Sequence, residues 1–272
     1  TTHGAERPHA GLRPQGLPQM WGAGNAAWAE GDEWADLPPA GGSKRPLQGG
    51  ASSARPVKRF AGDSSAAAPQ ADSGWAALRA SGAINAQDQA DIKQWLECSR
   101  VGSNVPGTVI VPCKTPFEGP LAERAYEAGL LPDEEWFGKD DLIQAAEQQG
   151  TPIGLVVDLV NTAKYYTGFS EAAGVEYKKV RIPGRTVPEW TIMEEVFDLI
   201  DDFASRRPGK YVAIHCTHGI NRTGYAVAAY LMTRGGLPKC RKAVAAFEKA
   251  RGTKMDKEYL LEALMDLEES GC

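Results

Sequence analysis

Cys216 and Arg222 lie five residues apart in the stretch 211–224, YVAIHCTHGINRTG, and this spacing is suited to phosphoryl chemistry. A phosphate dianion needs a nucleophile that is already ionised and donors that are already in place. The apolar run Tyr211 to Ile214 predicts a strand, Gly219 a tight loop, and the apolar residues after Thr223-Gly224 a helix. A strand–loop–helix of this kind lets the N–H groups of Thr217, His218, Gly219, Ile220, Asn221 and Arg222 converge on an anion, with the positive end of the helix dipole behind them. The same field lowers the pKa of a cysteine at the strand end, which favours thiolate. Arg222 offers a planar fork for two phosphate oxygens, and Gly219 and Gly224 permit close approach. The competing reading is a buried cysteine ahead of an ordinary helix, but His215, Gly219, Thr223 and Gly224 all occupy the places the chemistry requires.

The loop HCTHGINRTG resembles that of the cysteine-dependent phosphatases of the protein tyrosine phosphatase superfamily. Within that group it is similar to the RNA 5′-triphosphatase domain of metazoan- and plant-type mRNA capping enzymes and to the RNA-directed dual-specificity phosphatases. The resemblance runs from about Val105 to Leu267, with further anchors in VPCKTPF (111–117), GLVVDLVNTAKYY (154–166) and VPEW (187–190). It implies an α/β, dual-specificity phosphatase-like fold, with a mainly parallel central sheet flanked by helices. It also implies that Cys216 forms a phosphocysteine and Arg222 holds the equatorial oxygens. Thr223 then donates to the sulfur, His215 fixes the loop, and neither metal nor cofactor is used. Lys114, in the Lys-Thr-Pro segment beside the active-site mouth, becomes a candidate phosphate contact, and Lys164 and Tyr165 after the second strand become candidates to line the substrate channel, the first as a charge for phosphate and the second as a wall. Solvated or packing roles remain open for all three.

In protein-directed relatives, the loop before the helix at Glu189 carries an aspartate that protonates the leaving oxygen. Here Pro183-Gly184-Arg185-Thr186-Val187-Pro188 holds no Asp, only Arg185. A tyrosine phenolate has a conjugate acid of pKa about 10 and needs that proton; a phosphate oxygen of pKa about 6 does not. The gap therefore suits a triphosphate or diphosphate RNA end better than a phosphoester, with Arg185 as a further substrate contact. Two alternatives stay open. One is a protein tyrosine or dual-specificity phosphatase in which Glu189 or Asp158 serves as the acid. The other is a phosphoinositide phosphatase or a phosphate-recognising binding module. Arg251-Gly252-Thr253-Lys254 falls where capping triphosphatases have Arg-Pro-Pro-Gly, a departure that leans toward the stand-alone RNA phosphatases. No Lys-x-Asp-Gly nucleotidyl-transfer motif occurs, so a guanylyltransferase, like the transcription machinery, would be a separate partner.

The rest of the chain must position these groups. Its 272 residues, 42% hydrophobic and 24% charged with net charge −5, allow one catalytic domain and an extension. Residues 1–73, rich in Gly, Ala, Pro and Ser, read as a disordered low-complexity tail, and 74–272 as the phosphatase domain, with core resemblance over 105–267. In the tail, Trp21, Trp28 and Trp34 suggest a docking motif. Lys44-Arg45 and Lys58-Arg59, twelve residues apart, have the shape of a bipartite nuclear-import signal. A nuclear location is expected, with the cytoplasm as the alternative. The first residue is Thr, as in a processed or partial chain, and no charged-then-apolar leader is visible, which argues against secretion. Five scattered cysteines with no CxxC pair suggest neither a disulfide framework nor a zinc site.

Asn85 caps an expected helix to Glu97, Thr108–Val111 reads as a strand, and 119–149 is helical with an acidic cluster at 133–135 and 140–141. Ile153–Leu159 is a continuous apolar run expected to be a central parallel strand, and Tyr177–Ile182 one nearer an edge. Helices are expected over Glu189–Phe203, Tyr225–Met232, Pro238–Ala250 and Asp256–Glu268. Residues 176–257 hold sixteen Lys/Arg against nine Asp/Glu, whereas 85–150 hold five against twelve. A basic catalytic half within an acidic chain favours one phosphorylated end over a long polyanion.

Overall fold

The computed structural model describes residues 84–170 and 174–271. The tail readings at Trp21, Trp28, Trp34, Lys44-Arg45 and Lys58-Arg59, the 1–73 boundary and Cys272 lie outside the described residues.

Four parallel strands form one sheet in the order β1-β4-β2-β3, where β1 is Ile110–Pro112, β2 Ile153–Val160, β3 Glu176–Ile182 and β4 Tyr211–His215. All eight residues of β2 are buried, which is why its sequence is an unbroken apolar run with one Asp rather than an alternation. β3 lies at an edge and alternates. β1, at the other edge, is shorter and later than expected. Thr108 is spent on a turn, its hydroxyl donating to the Val105 carbonyl, and Pro112 is tolerated because an edge strand leaves one side unpaired.

On one face, α1 (Ala86–Glu97), α2 (Pro120–Glu127) and α3 (Lys139–Gln148) cover a cluster that includes Trp95, Phe117, Leu121, Phe137, Leu142, Val156 and Ala213. α1 starts as its sequence indicates, with the Asn85 side chain accepting from the Asp88 N–H at 2.8 Å. On the other side, α4 (Trp190–Arg206) and α5 (Asn221–Thr233) pack on β4, α6 (Cys240–Arg251) packs on β1 and α5, and α7 (Glu258–Glu269) on α5. Thr223 through Met232 are all buried, so α5 is apolar all round because it is enclosed all round. The acidic run Asp133–Glu135 is an exposed 3-10 turn, and Asp141 accepts from the Gly138 N–H at the start of α3, as dipole-complementing acids do. Among the described residues, no helix is long and apolar enough to cross a membrane.

Candidate active site

β4 is paired on both sides, to β1 and to β2, so the residue that follows it emerges from the middle of the sheet. That residue is Cys216, 4% exposed. The loop 217–220 turns back and enters α5 at Asn221. No side chain caps this helix and its first turn holds no acid, so its N–H groups and positive end are left to an anion. Gly219 has φ of +67°, and a Cβ there would stand 2.0 Å from the Cys113 carbonyl oxygen. Only glycine satisfies both conditions. The segment after β1 abuts the loop elsewhere too, with Thr115 N–H donating to the Thr217 carbonyl at 3.2 Å.

Arg222 is aimed by two strand ends. It donates to the carbonyls of Leu159 (3.2 Å) in β2 and Ile182 (2.9 Å) in β3, and to the Thr217 hydroxyl at 3.3 Å. Burial alone would raise the pKa of Cys216. The Arg222 charge, the Thr223 hydroxyl and the N–H groups of Thr223 and Ile220 outweigh it, and the thiol is held below its ordinary range. Thr223 Oγ1 is buried and has no hydrogen-bond partner in the folded chain, which leaves its hydroxyl available to the Cys216 sulfur whose pKa it lowers.

His215 lies behind the nucleophile, fully buried. Its Nε2 meets the Tyr166 hydroxyl at 2.7 Å, and its Nδ1 lies 3.2 Å from the Cys216 carbonyl. Burial pushes its pKa down, so the neutral ring is a brace and not a proton carrier. His218 is likewise depressed by burial, and its Nε2 lies 3.2 Å from the Asp91 carbonyl in α1. Asn221 holds α5 to the chain beyond α6, its Oδ1 accepting from the N–H groups of Asp256 (3.0 Å) and Lys257 (3.2 Å). Gly224 is needed for packing, since a Cβ would meet Phe247 at 2.6 Å and Met255 at 2.7 Å.

Several expected contacts are corrected. Lys114 does not face a substrate. It is fully buried, its ammonium donates to the Trp95 carbonyl at 3.1 Å and lies 3.5 Å from the Trp95 ring centroid, and burial lowers its pKa to about 8. Tyr165 is 3% exposed, stacked edge-on to Phe117 with its hydroxyl donating to Asp91, so it is a packing aromatic rather than a channel wall. Lys164 is partly exposed, but Asp88 and Asp91 of α1 already neutralise it. Asp158 is fully buried and accepts from Val160 N–H, Tyr177 hydroxyl and Lys179 ammonium, each at 2.8 Å. Its oxygens are spent on these three donors inside the fold, so the structure gives it the role of a buried anchor rather than that of a leaving-group acid. Arg185 is exposed and is the only non-glycine with positive φ (66°) among the described residues. Glu189 is exposed at the entry to α4 and caps nothing. Among the described residues, no cluster of His, Cys, Asp and Glu is placed to hold a metal ion.

Sequence reasoning missed the outer wall of the loop. Arg251, 1% exposed, donates to the carbonyls of Gly219 (2.9 Å), His218 (3.0 Å) and Ser99 (2.8 Å), and to the Ser99 hydroxyl. The available signal was periodicity: Arg251 continues the buried face of α6 formed by Ala243, Phe247 and Ala250, where an arginine is out of place unless it has partners.

Comparison with known proteins agrees with this geometry. The dual specificity phosphatase catalytic domain model matches residues 136–270. A tyrosine-protein phosphatase of Autographa californica nuclear polyhedrosis virus is 36% identical over 172 residues, covering 63% of this chain and 95% of the relative. An RNA/RNP complex-1-interacting phosphatase homolog of Caenorhabditis elegans is 34% identical over 179 residues, covering 64% and 75%. The solved structure of Tk-PTP in its active form aligns at 26% identity and TM-score 0.43, over 62% of this chain and 96% of that one. With a cysteine of lowered pKa at the strand end, an arginine fork and an uncapped helix start in one place, and with a relative 36% identical matched over 95% of its length, the chain belongs to the dual-specificity phosphatases of the protein tyrosine phosphatase superfamily.

Proposed function

We propose that the substrate is the 5′ end of RNA and that the enzyme removes the terminal phosphate of a triphosphate or diphosphate end, as in the first step of mRNA capping. The observation that carries this reading is the lack of a leaving-group acid. The loop 183–188 offers an exposed Arg185 and no Asp, and Asp158 is committed to three donors. A phosphoanhydride tolerates that arrangement and an alkyl or aryl ester does not. The names of several relatives, RNA/RNP complex-1-interacting phosphatases of worm, rat and human, accord with it.

In the proposed reaction, the Cys216 thiolate attacks the terminal phosphorus. The S–P bond forms as the P–O bond to the next phosphate breaks, and that phosphate leaves with its electron pair and without a proton. Arg222 and the loop N–H groups hold the three equatorial oxygens as charge spreads over them. Water then attacks the phosphocysteine, both of its hydrogens leaving with inorganic phosphate. The thiolate departs, stabilised by the Thr223 hydroxyl. A nuclear location and a separate guanylyltransferase to consume a diphosphate end are part of the same proposal. Fluorescence of the tagged chain before and after replacing Lys44-Arg45 and Lys58-Arg59 tests the location.

The second reading, a phosphoprotein substrate, is favoured by Glu189, an exposed carboxyl where α4 begins. Phosphate release in EDTA from triphosphate-ended RNA and from a phosphotyrosine peptide separates the two. A preference for RNA of about 100-fold, or 2.7 kcal/mol of transition-state binding, is expected. Preference for the peptide, lost in Glu189→Gln, would replace the RNA reading.

A further inference from the structure

The phosphate loop must turn its N–H groups inward to grip an anion, and its carbonyls are thereby turned outward. Buried outward carbonyls need donors. Arg251 supplies them, with Nε on Gly219 and one terminal nitrogen shared between His218 and Ser99. The remaining terminal nitrogen donates to the Ser99 hydroxyl, which in turn lies 3.4 Å from the Arg251 carbonyl at the end of α6. The fork is therefore gripped by the chain just after α1 while it holds two successive carbonyls of the loop. We propose that Arg251 is a positioning residue for the phosphatase reaction. From outside the loop it sets the inward orientation of the N–H cradle.

A fully buried guanidinium is costly without an anion, and among the described residues no carboxylate pairs with Arg251. Its burial is offset by the four hydrogen bonds that it donates to Gly219, His218 and Ser99.

This proposal concerns the phosphocysteine chemistry itself and holds whichever phosphorylated substrate is correct. The test compares the full chain with Arg251→Met, Arg251→Lys and Ser99→Ala. It measures kcat and KM on p-nitrophenyl phosphate, the pH midpoint of Cys216 alkylation by iodoacetamide, and thermal unfolding. Arg251→Met is expected to lower kcat about 100-fold, the cost of a cradle displaced by about 1 Å, and to raise the midpoint, because the loop N–H groups that lower it are displaced. Arg251→Lys keeps the charge but not the fork, so kcat still falls at least tenfold and the midpoint still rises. Ser99→Ala loosens the fork from behind and lowers kcat a few-fold. A folded Arg251→Met with kcat within threefold of wild type and an unmoved midpoint overturns the proposal, as does a drop in unfolding temperature alone. Should Arg251→Met not fold, undiminished kcat in both Arg251→Lys and Ser99→Ala overturns it equally.

Discussion

Replacing Gly219 with Ala gives the sharpest test of how the phosphate loop is built. Two penalties are visible in the structure. The first is conformational: φ of +67° costs a residue with a Cβ about 1 kcal/mol or more. The second is steric. The new methyl would lie 2.0 Å from the Cys113 oxygen, 2.5 Å from its carbon and 3.0 Å from Lys114 nitrogen, all backbone atoms. Ordinary contact starts at 3.4 Å, so about 1.4 Å of overlap must be relieved by moving one backbone segment from the other. The 113–115 segment is tied to the ends of β1 and β4, and to Trp95, whose indole N–H donates to the Thr115 carbonyl at 2.9 Å. The loop will move instead. A shift of about 1 Å at the cradle costs roughly 100-fold in rate, so kcat/KM should fall by about 100-fold or more, and stability by about 2–4 kcal/mol. Gly236→Ala is the control. Its φ of +75° imposes the first penalty, but nothing lies within 4 Å of the added methyl. It should lose about 1 kcal/mol and no activity. Steady-state kinetics on p-nitrophenyl phosphate with urea unfolding of both variants decides the matter. Gly219→Ala with kcat/KM within threefold of wild type would refute the reasoning.

Four further outcomes are expected. Cys216→Ser should abolish phosphate release while keeping affinity for phosphate or vanadate by calorimetry; retained turnover would mean that another nucleophile operates. Alkylation of Cys216 should reach half its maximal rate below pH 9.0, the ordinary thiol value, and Arg222→Met should move that midpoint up, since Arg222 is the leading favourable influence on it. Asp158→Asn should cost about 2–4 kcal/mol by leaving the Lys179 ammonium without its anion, while the alkaline limb of the activity profile stays in place. A vanished limb with intact stability would restore Asp158 as an acid. Lys114 has its pKa lowered from an ordinary 10.5 to about 8, so between those pH values the unfolded chain binds the extra proton and stability rises with pH. The rise attributable to this residue is roughly 3 kcal/mol and should be missing in Lys114→Met when unfolding is followed from pH 7.5 to 10.5.

The sheet was legible in the sequence wherever a strand is buried on both faces, because Ile153–Val160 and Tyr211–His215 are apolar apart from Asp158 and His215. The helix start at Asn85 was legible from its cap, whereas α5 begins at Asn221, four residues ahead of the apolar stretch from Tyr225, because the phosphate loop itself runs into the helix. What could not be read were contacts between residues far apart in the chain. Lys114 looked like a loop lysine because the ring that shelters it, Trp95, lies nineteen positions upstream. Tyr165 and Lys164 looked available because their partners, Asp88 and Asp91, sit on α1. Asp158 carried no mark of its three donors, two of which come from β3. Arg251 differed in that its place on an apolar helix face was a local sign that it had to be satisfied, even though Ser99, His218 and Gly219 could not be named from it.

The phosphate loop is walled by pieces that the chain supplies long before and well after it: Cys113 and Thr115 on one side, and on the other Arg251 with Ser99, separated by 152 positions. Non-local closure of this kind is slow. During synthesis, the thiol of Cys216 is made while its outer wall does not yet exist, and the loop cannot take its gripping shape until α6 is complete. A nascent chain halted ahead of Arg251 should therefore alkylate at Cys216 like an ordinary thiol, and one extended past α7 like the enzyme. The order of translation would then time the reactivity of the nucleophile, which waits on the last pieces of the fold around it.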